Sequence, residues 1–268
     1  MKKIFTFIIA CVGFASLTFA QSNKVGSGSN FYSTLSSVSH PALTAPGGNA
    51  LVYVDYAHVN DEVVSTLTSE GYTVTVATDW SNFNTLLAGG TDLAVAFAQS
   101  WSATSGGLSY STVESYISSG GKMIFSTWST ADLAFANLFE ANFTGNFNMT
   151  MVCSDYNSLK RDITGGCFTL SNPGWMMTFS LGLSPIGNGV VAATFENGDA
   201  AIILGNNGNT IMLGYLSDTP SVKATAFTNV TNTLTTGLAV PISYWWIILA
   251  FVVIAGSVVF TKRKVIFG

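Results

Sequence analysis

Leu51-Val52-Tyr53-Val54-Asp55-Tyr56 is followed by Asn60-Asp61-Glu62 and then by Val63, Val64 and Leu67. The first run is β-branched and aromatic, and the last three apolar residues recur at helical spacing, so the stretch predicts a strand, a capped helix start and a helix. Asn60 suits the N-cap, Asp61 and Glu62 favour the positive end of the helix dipole, and Gly71 permits a left-handed exit. The same unit then repeats. Thr73 to Ala77 predicts a second strand, Phe83, Leu86 and Leu87 a short helix ended by Gly89-Gly90, and Leu93 to Ala98 a third strand. Ser111-Thr112-Val113-Glu114 has the spacing of a capping box and opens a helix ending at Gly120-Gly121, after which Lys122 to Ser126 predicts a fourth strand. Continuous apolar strands alternating with helices imply a parallel sheet covered on both faces.

Beyond this unit the pattern changes. Residues 131–143 predict one more helix, and residues 142–189 lose regular periodicity, reading as an insertion or a set of short strands. Val190 to Phe195, Ala200 to Leu204 and Thr210 to Tyr215 are apolar runs separated by Asn-Gly-type turns, the signature of antiparallel hairpins. Ala226, Phe227, Val230 and Leu234 share one helical face and close the domain near Gly237. The expected fold class is α/β, doubly wound, with a mostly parallel sheet, a C-terminal antiparallel hairpin extension and one C-terminal transmembrane helix.

Both ends carry targeting patterns. Met1-Lys2-Lys3, an apolar run and Thr18-Phe19-Ala20 predict a signal peptide over residues 1–20, with a lipoprotein cleavage before Cys11 as the rival reading. Residues 21–49 are rich in Ser, Gly and Asn and bury too little apolar surface to offset their ordering entropy, so they read as a flexible leader. The α/β domain spans 50–237, a short linker 238–241. Residues 242–260 carry no charge, are entered by Tyr244-Trp245-Trp246 and are followed by Lys262-Arg263-Lys264 in a basic tail over 261–268. About 20 apolar residues cross a bilayer as a helix, aromatic rings favour its interface and basic residues mark its cytoplasmic side. The expectation is an exported, single-pass membrane protein with its N-terminus outside.

Residues 21–240 hold all 14 acidic side chains against five basic ones, a formal charge of −9, which excludes nucleic acid as a partner because phosphate binding needs clustered Lys and Arg. Cys153 and Cys167 are the cysteines left after signal removal. The export route permits a disulfide between them, worth about 3 kcal/mol for a loop of this size, and two buried thiols are the alternative.

The repeated strand–helix units, Ser119-Gly-Gly-Lys-Met-Ile-Phe125 before a strand, the turn in Glu196-Asn-Gly-Asp-Ala-Ala-Ile202 and the strand ending in Gly214-Tyr215 resemble the class I glutamine amidotransferase-like (flavodoxin-like) domains, in the divergent form found in bacterial surface proteins. The tail resembles bacterial sorting signals of the PEP-CTERM type, with Pro241-Ile-Ser-Tyr-Trp245 where that family has Pro-Glu-Pro, which implies sorting or processing machinery as a partner and transfer to the cell surface.

In amidotransferase-like enzymes a Cys nucleophile on a strand-to-helix elbow works with a His and an acid. Here no Cys follows any of the four strands and no Gly-x-Ser-x-Gly is present. A degenerate hydrolase using Ser126, His58 and Asp55 is the enzymatic alternative. Neither a metal site nor a cofactor site is expected: there is no His-x-x-x-His, Cys-x-x-Cys or Gly-x-Gly-x-x-Gly in the sequence. The four parallel strands end in Asp55-Tyr56, Asp79-Trp80, Ser100-Trp101 and Thr127-Trp128, each an oxygen-bearing residue followed by a large ring. Ligands of open α/β sheets bind outside the carboxyl ends of the strands. The strand order of the resembling family implies that Asp55, Gln99 and Ser126 meet around Trp101 and Trp128. With Tyr56 and His58 these residues make the candidate cleft, for a neutral glycan or a peptide. The alternative is that the rings only plug the helix tops.

Overall fold

In the computed structural model, which describes residues 47–236, the chain runs β1 (Asn49–Val54), α1 (Val63–Ser69), β2 (Thr73–Val76), α2 (Trp80–Ala88), β3 (Leu93–Ala98), α3 (Ala103–Gly106), α4 (Tyr110–Ser118), β4 (Lys122–Thr127) and α5 (Leu133–Leu138). It continues through β5 (Ala141–Phe147), β6 (Met151–Cys153), β7 (Cys167–Thr169), β8 (Leu181–Pro185), β9 (Val190–Phe195), β10 (Ala200–Gly205), β11 (Thr210–Leu213) and α6 (Lys223–Thr236). The expected signal peptide, linker, membrane span and basic tail, and the leader up to residue 46, lie outside the described residues. Among the described residues no helix is long and apolar enough to cross a membrane.

Strands β2-β1-β3-β4-β11 lie side by side and all run parallel. β3, at the centre, is buried along its whole length, and its two faces differ in side-chain size. Leu93, Val95 and Phe97 meet Val63 and Leu67 of α1 and Phe227, Val230 and Leu234 of α6 in one core. Ala94, Ala96 and Ala98 meet Phe83 of α2, Val113 of α4, and Phe125 and Phe135 in the other. Small residues on that face leave room for the aromatic rings of the covering helices, and each fully buried ring contributes about 1.5–3 kcal/mol. Helices therefore cover both faces, as a doubly wound sheet requires.

The second part of the sheet is antiparallel. β10 pairs with β11, β9 and β8, β9 pairs with β6, β6 with β7, and β5 with β8. The irregular segment is thus a set of short strands rather than a bare insertion. The α/β class and the large sheet agree with expectation, but the antiparallel part is more than a hairpin extension. β11 also differs from its reading: it is antiparallel to β10 and parallel to β4, so it completes the parallel half as a fifth strand.

Local starts and stops shift for identifiable reasons. α1 begins at Val63, and the Asp61 carboxylate, not the Asn60 amide, accepts from the first helical amide at 3.0 Å. α4 is capped by Ser109, which accepts from Thr112 N, rather than by Ser111; this register turns Val113, Tyr116 and Ile117 into the core. The helix expected over 131–143 stops at Leu138, because Ala141, Asn142 and Phe143 pair with β8. Gly71, Gly90 and Gly120 do leave their helices with φ near +88°, the conformation that favours glycine.

Candidate functional site

The order β2-β1-β3 reverses direction between β1 and β3, the place where doubly wound sheets open a crevice at the strand carboxyl ends. Here the protein's own carboxylate occupies that crevice. Asp55 Oδ1 accepts from Gln99 N at 2.6 Å and Ser100 N at 2.9 Å, and its Oδ2 accepts from Trp101 N at 2.9 Å. Burial raises the pKa of Asp55, and these backbone amides oppose the shift. A second carboxylate, the fully buried Asp132, accepts from Ala103 N, Thr104 N, the Thr104 hydroxyl and the Thr127 hydroxyl at 2.6–2.9 Å. Two acids thus fix the turn after β3 from both sides. Amides at such a turn serve as an oxyanion hole in acyl-transfer enzymes, where they must face the reacting atom. In this chain they face Asp55 and Asp132.

A row of rings crosses the same edge. Tyr56, His58 and Trp175 pack edge-on to one another with centroids 4.3–5.5 Å apart, Trp175 continues to Phe179 at 6.1 Å, and Phe179 to Trp128 at 5.6 Å. The row is fixed from below by Asp218, which is 1 % exposed: its carboxylate accepts from His58 N at 2.8 Å and from Trp175 Nε1 at 3.0 Å. Asp61, whose pKa is raised by burial and by the nearby Asp218, accepts from the Ser217 hydroxyl. Apolar surface remains open around the row. Met176 is 91 % exposed, Trp101 66 % and Tyr56 46 %.

The sequence-derived residues divide accordingly. Tyr56, His58 and Trp101 reach the surface, and Asp55 lies between them as a clamp. Gln99 is buried: its amide nitrogen donates to Tyr56 O and its carbonyl accepts from Ser217 N, both at 2.6 Å, so it ties β1 to the β11 exit instead of lining a cleft. Ser126 is sealed in the core and donates to Tyr215 O at 2.6 Å. Among the described residues no hydrogen bond joins Ser126, His58 and Asp55, so the alternative triad is not assembled. Trp128 is half-buried beneath Phe179, and its indole N–H has no hydrogen-bond partner among the described residues. Trp80, the ring at the end of β2, is a core residue.

Trp175, Phe179 and Asp218 were missed by sequence reasoning. Trp175 and Phe179 sit in the segment over 142–189 that lacks regular periodicity, so spacing gives no signal for either. Asp218 follows the fifth parallel strand, and reading β11 as parallel would have placed it at the carboxyl edge. Cys153 and Cys167 are directly opposed on β6 and β7, with Cα atoms 4.1 Å and sulfurs 2.08 Å apart. Among the described residues no group of three or more His, Cys, Asp or Glu is placed to hold a metal ion.

The sequence matches no protein-family model and no curated protein. Two solved structures have a similar backbone course. One is a Thermoplasma acidophilum protein provisionally assigned as one of the subunits of GMP synthase, 12 % identical, covering 70 % of this chain and 94 % of that one with a TM-score of 0.47. The other is a glutamine amidotransferase from Thermotoga maritima, 8 % identical, covering 62 % of this chain and 74 % of that one with a TM-score of 0.41.

Proposed function

We propose that this chain is a non-catalytic binding module, anchored through residues 242–260 and displayed outside the cytoplasm, whose ligand docks on the aromatic edge at the strand carboxyl ends. One observation carries the reading. Tyr56 and Trp101 stand exposed beside a turn whose amides are already bound by Asp55, and Ser126, the candidate nucleophile, is sealed in the core, which favours recognition over acyl transfer. Anchoring rests on the uncharged stretch and its basic stop, and oxidation of the opposed cysteines fits an exported domain. The PEP-CTERM-like tail adds transfer to the cell surface to the proposal.

Binding is tested with the full-length chain on glycan arrays and peptide libraries. Retention should fall about tenfold in Trp101→Ala and Tyr56→Ala, as for an exposed aromatic anchor, and Ser126→Ala should leave it unchanged wherever the chain still folds. Ester or amide turnover that Ser126→Ala abolishes would replace this reading with the hydrolase. For topology, reporter fusions at Gly237 and Gly268 should report opposite sides of the membrane; cytoplasmic activity at Gly237 would reject the anchor.

A further inference from the structure

We infer that the partner taken by this edge is a lysine- or arginine-bearing peptide segment of another protein rather than a sugar or a lipid. The inference rests on the binding-module reading and narrows it.

The first argument is the chemistry of the exposed groups. Met176 and Met177 form the tip of the segment between Trp175 and Phe179, and Met176 is the most exposed large apolar side chain among the described residues, at 91 %. Unbranched thioethers adapt to irregular side-chain surfaces and are favoured where peptides dock. The ring of Tyr56, which packs against Trp175, and that of Trp101, exposed at the same strand edge, add faces that attract a guanidinium or ammonium group.

Charge provides the second argument. Toward solvent the strand exits at this edge carry Asp61 and Glu62 after β1 and Asp79 after β2, while Asp218 after β11 is buried beneath its own donors. Among the described residues the basic ones lie elsewhere with one exception. Lys122 opens β4 at the opposite edge, Lys160 and Arg161 lie where Asn229, halfway along α6, holds the carbonyls of Leu159 and Arg161, and only Lys223 begins at the carboxyl edge. Such an imbalance steers cations toward the rings and repels anionic headgroups or acidic glycans.

The test is selection from a phage-displayed random peptide library on the full-length chain in detergent micelles, with counter-selection on the Tyr56→Ala/Trp101→Ala variant. Selected peptides should be rich in Lys and Arg. Their synthetic forms should bind about tenfold more weakly to Trp101→Ala and several-fold more weakly to Glu62→Gln, and they should weaken as salt rises from about 50 to about 500 mM. Tyr56→Phe and Trp101→Phe, which keep a ring, should restore much of the affinity and separate a lost contact from a lost fold. Uncharged or acidic selected peptides, salt-independent binding, or Trp101-dependent retention of neutral oligosaccharides without basic peptides would overturn the inference while leaving a binding module. If neither peptide nor glycan depends on Tyr56 or Trp101, both readings fall.

Discussion

In the parallel half of the sheet, Asp55 at the end of β1 and Asp132 at the start of α5 hold the backbone amides of the turn after β3. In the antiparallel half, Glu196 accepts from Thr150 N and Met151 N, and Asp199 from the side chains of Thr144, Asn146 and Asn197, all at exposed turns. The chemical device is the same, a carboxylate that replaces a missing backbone or side-chain partner. Its surroundings differ. Burial raises the pKa values of Asp55 and Asp61 despite their donors, whereas at Glu196 and Asp199 slight desolvation is outweighed by hydrogen bonds and the values are lowered. A carboxylate staple should therefore matter to stability where it is buried and matter little where water can take its place.

The sharpest way to break that comparison is to remove one staple from each half. Asp132→Ala strands the buried Ala103 N and Thr127 hydroxyl and also frees the two partly buried donors of Thr104, and should cost about 2–4 kcal/mol in urea unfolding, whereas Asp199→Ala should cost less than about 1 kcal/mol because its donors reach solvent. Equal losses would sink the distinction. Replacing Cys153 and Cys167 together by Ser should cost about 3 kcal/mol if they are bridged, with new proteolytic cuts within 154–166 and none in β3 or β4. Alkylation and mass spectrometry of unreduced protein should first show no free thiol. Asp55→Asn keeps one acceptor oxygen and should cost only about 1–2 kcal/mol, visible as faster amide exchange at Gln99, Ser100 and Trp101.

The smallest effect is in pH. Asp55, Asp61 and Glu70, the last raised by burial at the end of α1 where it accepts from the Thr231 hydroxyl, have raised values in the fold, so the stability they contribute is fully present below the ordinary carboxylate range and is lost as pH rises through their folded values. Glu196 and Asp199 have lowered values, so their contribution is present above the ordinary range and is lost as pH falls through the folded values. Hydrogen exchange, corrected for its intrinsic pH dependence, should show the β1–β3 edge tightening from pH 7 toward 5 while the β9–β10 turn holds. Below that window the order should reverse, with the turn loosening first.

The exposed edge strand β2 was legible from its β-branched run Thr73–Val76, and the inner parallel strands β1, β3 and β4 were legible because a strand buried on both faces must be apolar, whatever lies beside it. The same property hid the role of β11: Thr210 to Leu213 has one sequence whether its neighbour runs parallel or antiparallel, and it has both. Cap positions were ambiguous for a similar reason. Ser109 and Ser111 are equally competent hydroxyls, and the choice fell to the register that buries Val113, Tyr116 and Ile117. β5 to β8 were least readable, since strands as short as Met151–Cys153 carry no periodicity of their own and are held by their neighbours.

At the candidate site, Asp55-Tyr56 and Ser100-Trp101 were visible as strand-end pairs, but an exposed ring and a buried one look alike in sequence. Trp80 and Trp101 each follow an oxygen-bearing residue, yet one is in the core and the other is 66 % exposed. What the sequence by itself determined is the repeated strand–helix grammar, the acidic balance and the presence of rings where parallel strands end, because these follow from local spacing and composition. Only the tertiary structure decided that Asp218 would hold His58 and Trp175, that Gln99 and Ser126 would turn inward, and that Asp55 would close the crevice between β1 and β3. Those outcomes depend on which groups meet across 43 to 160 residues of chain, and each buried polar atom there must take whichever partner the packed strands bring within hydrogen-bonding distance.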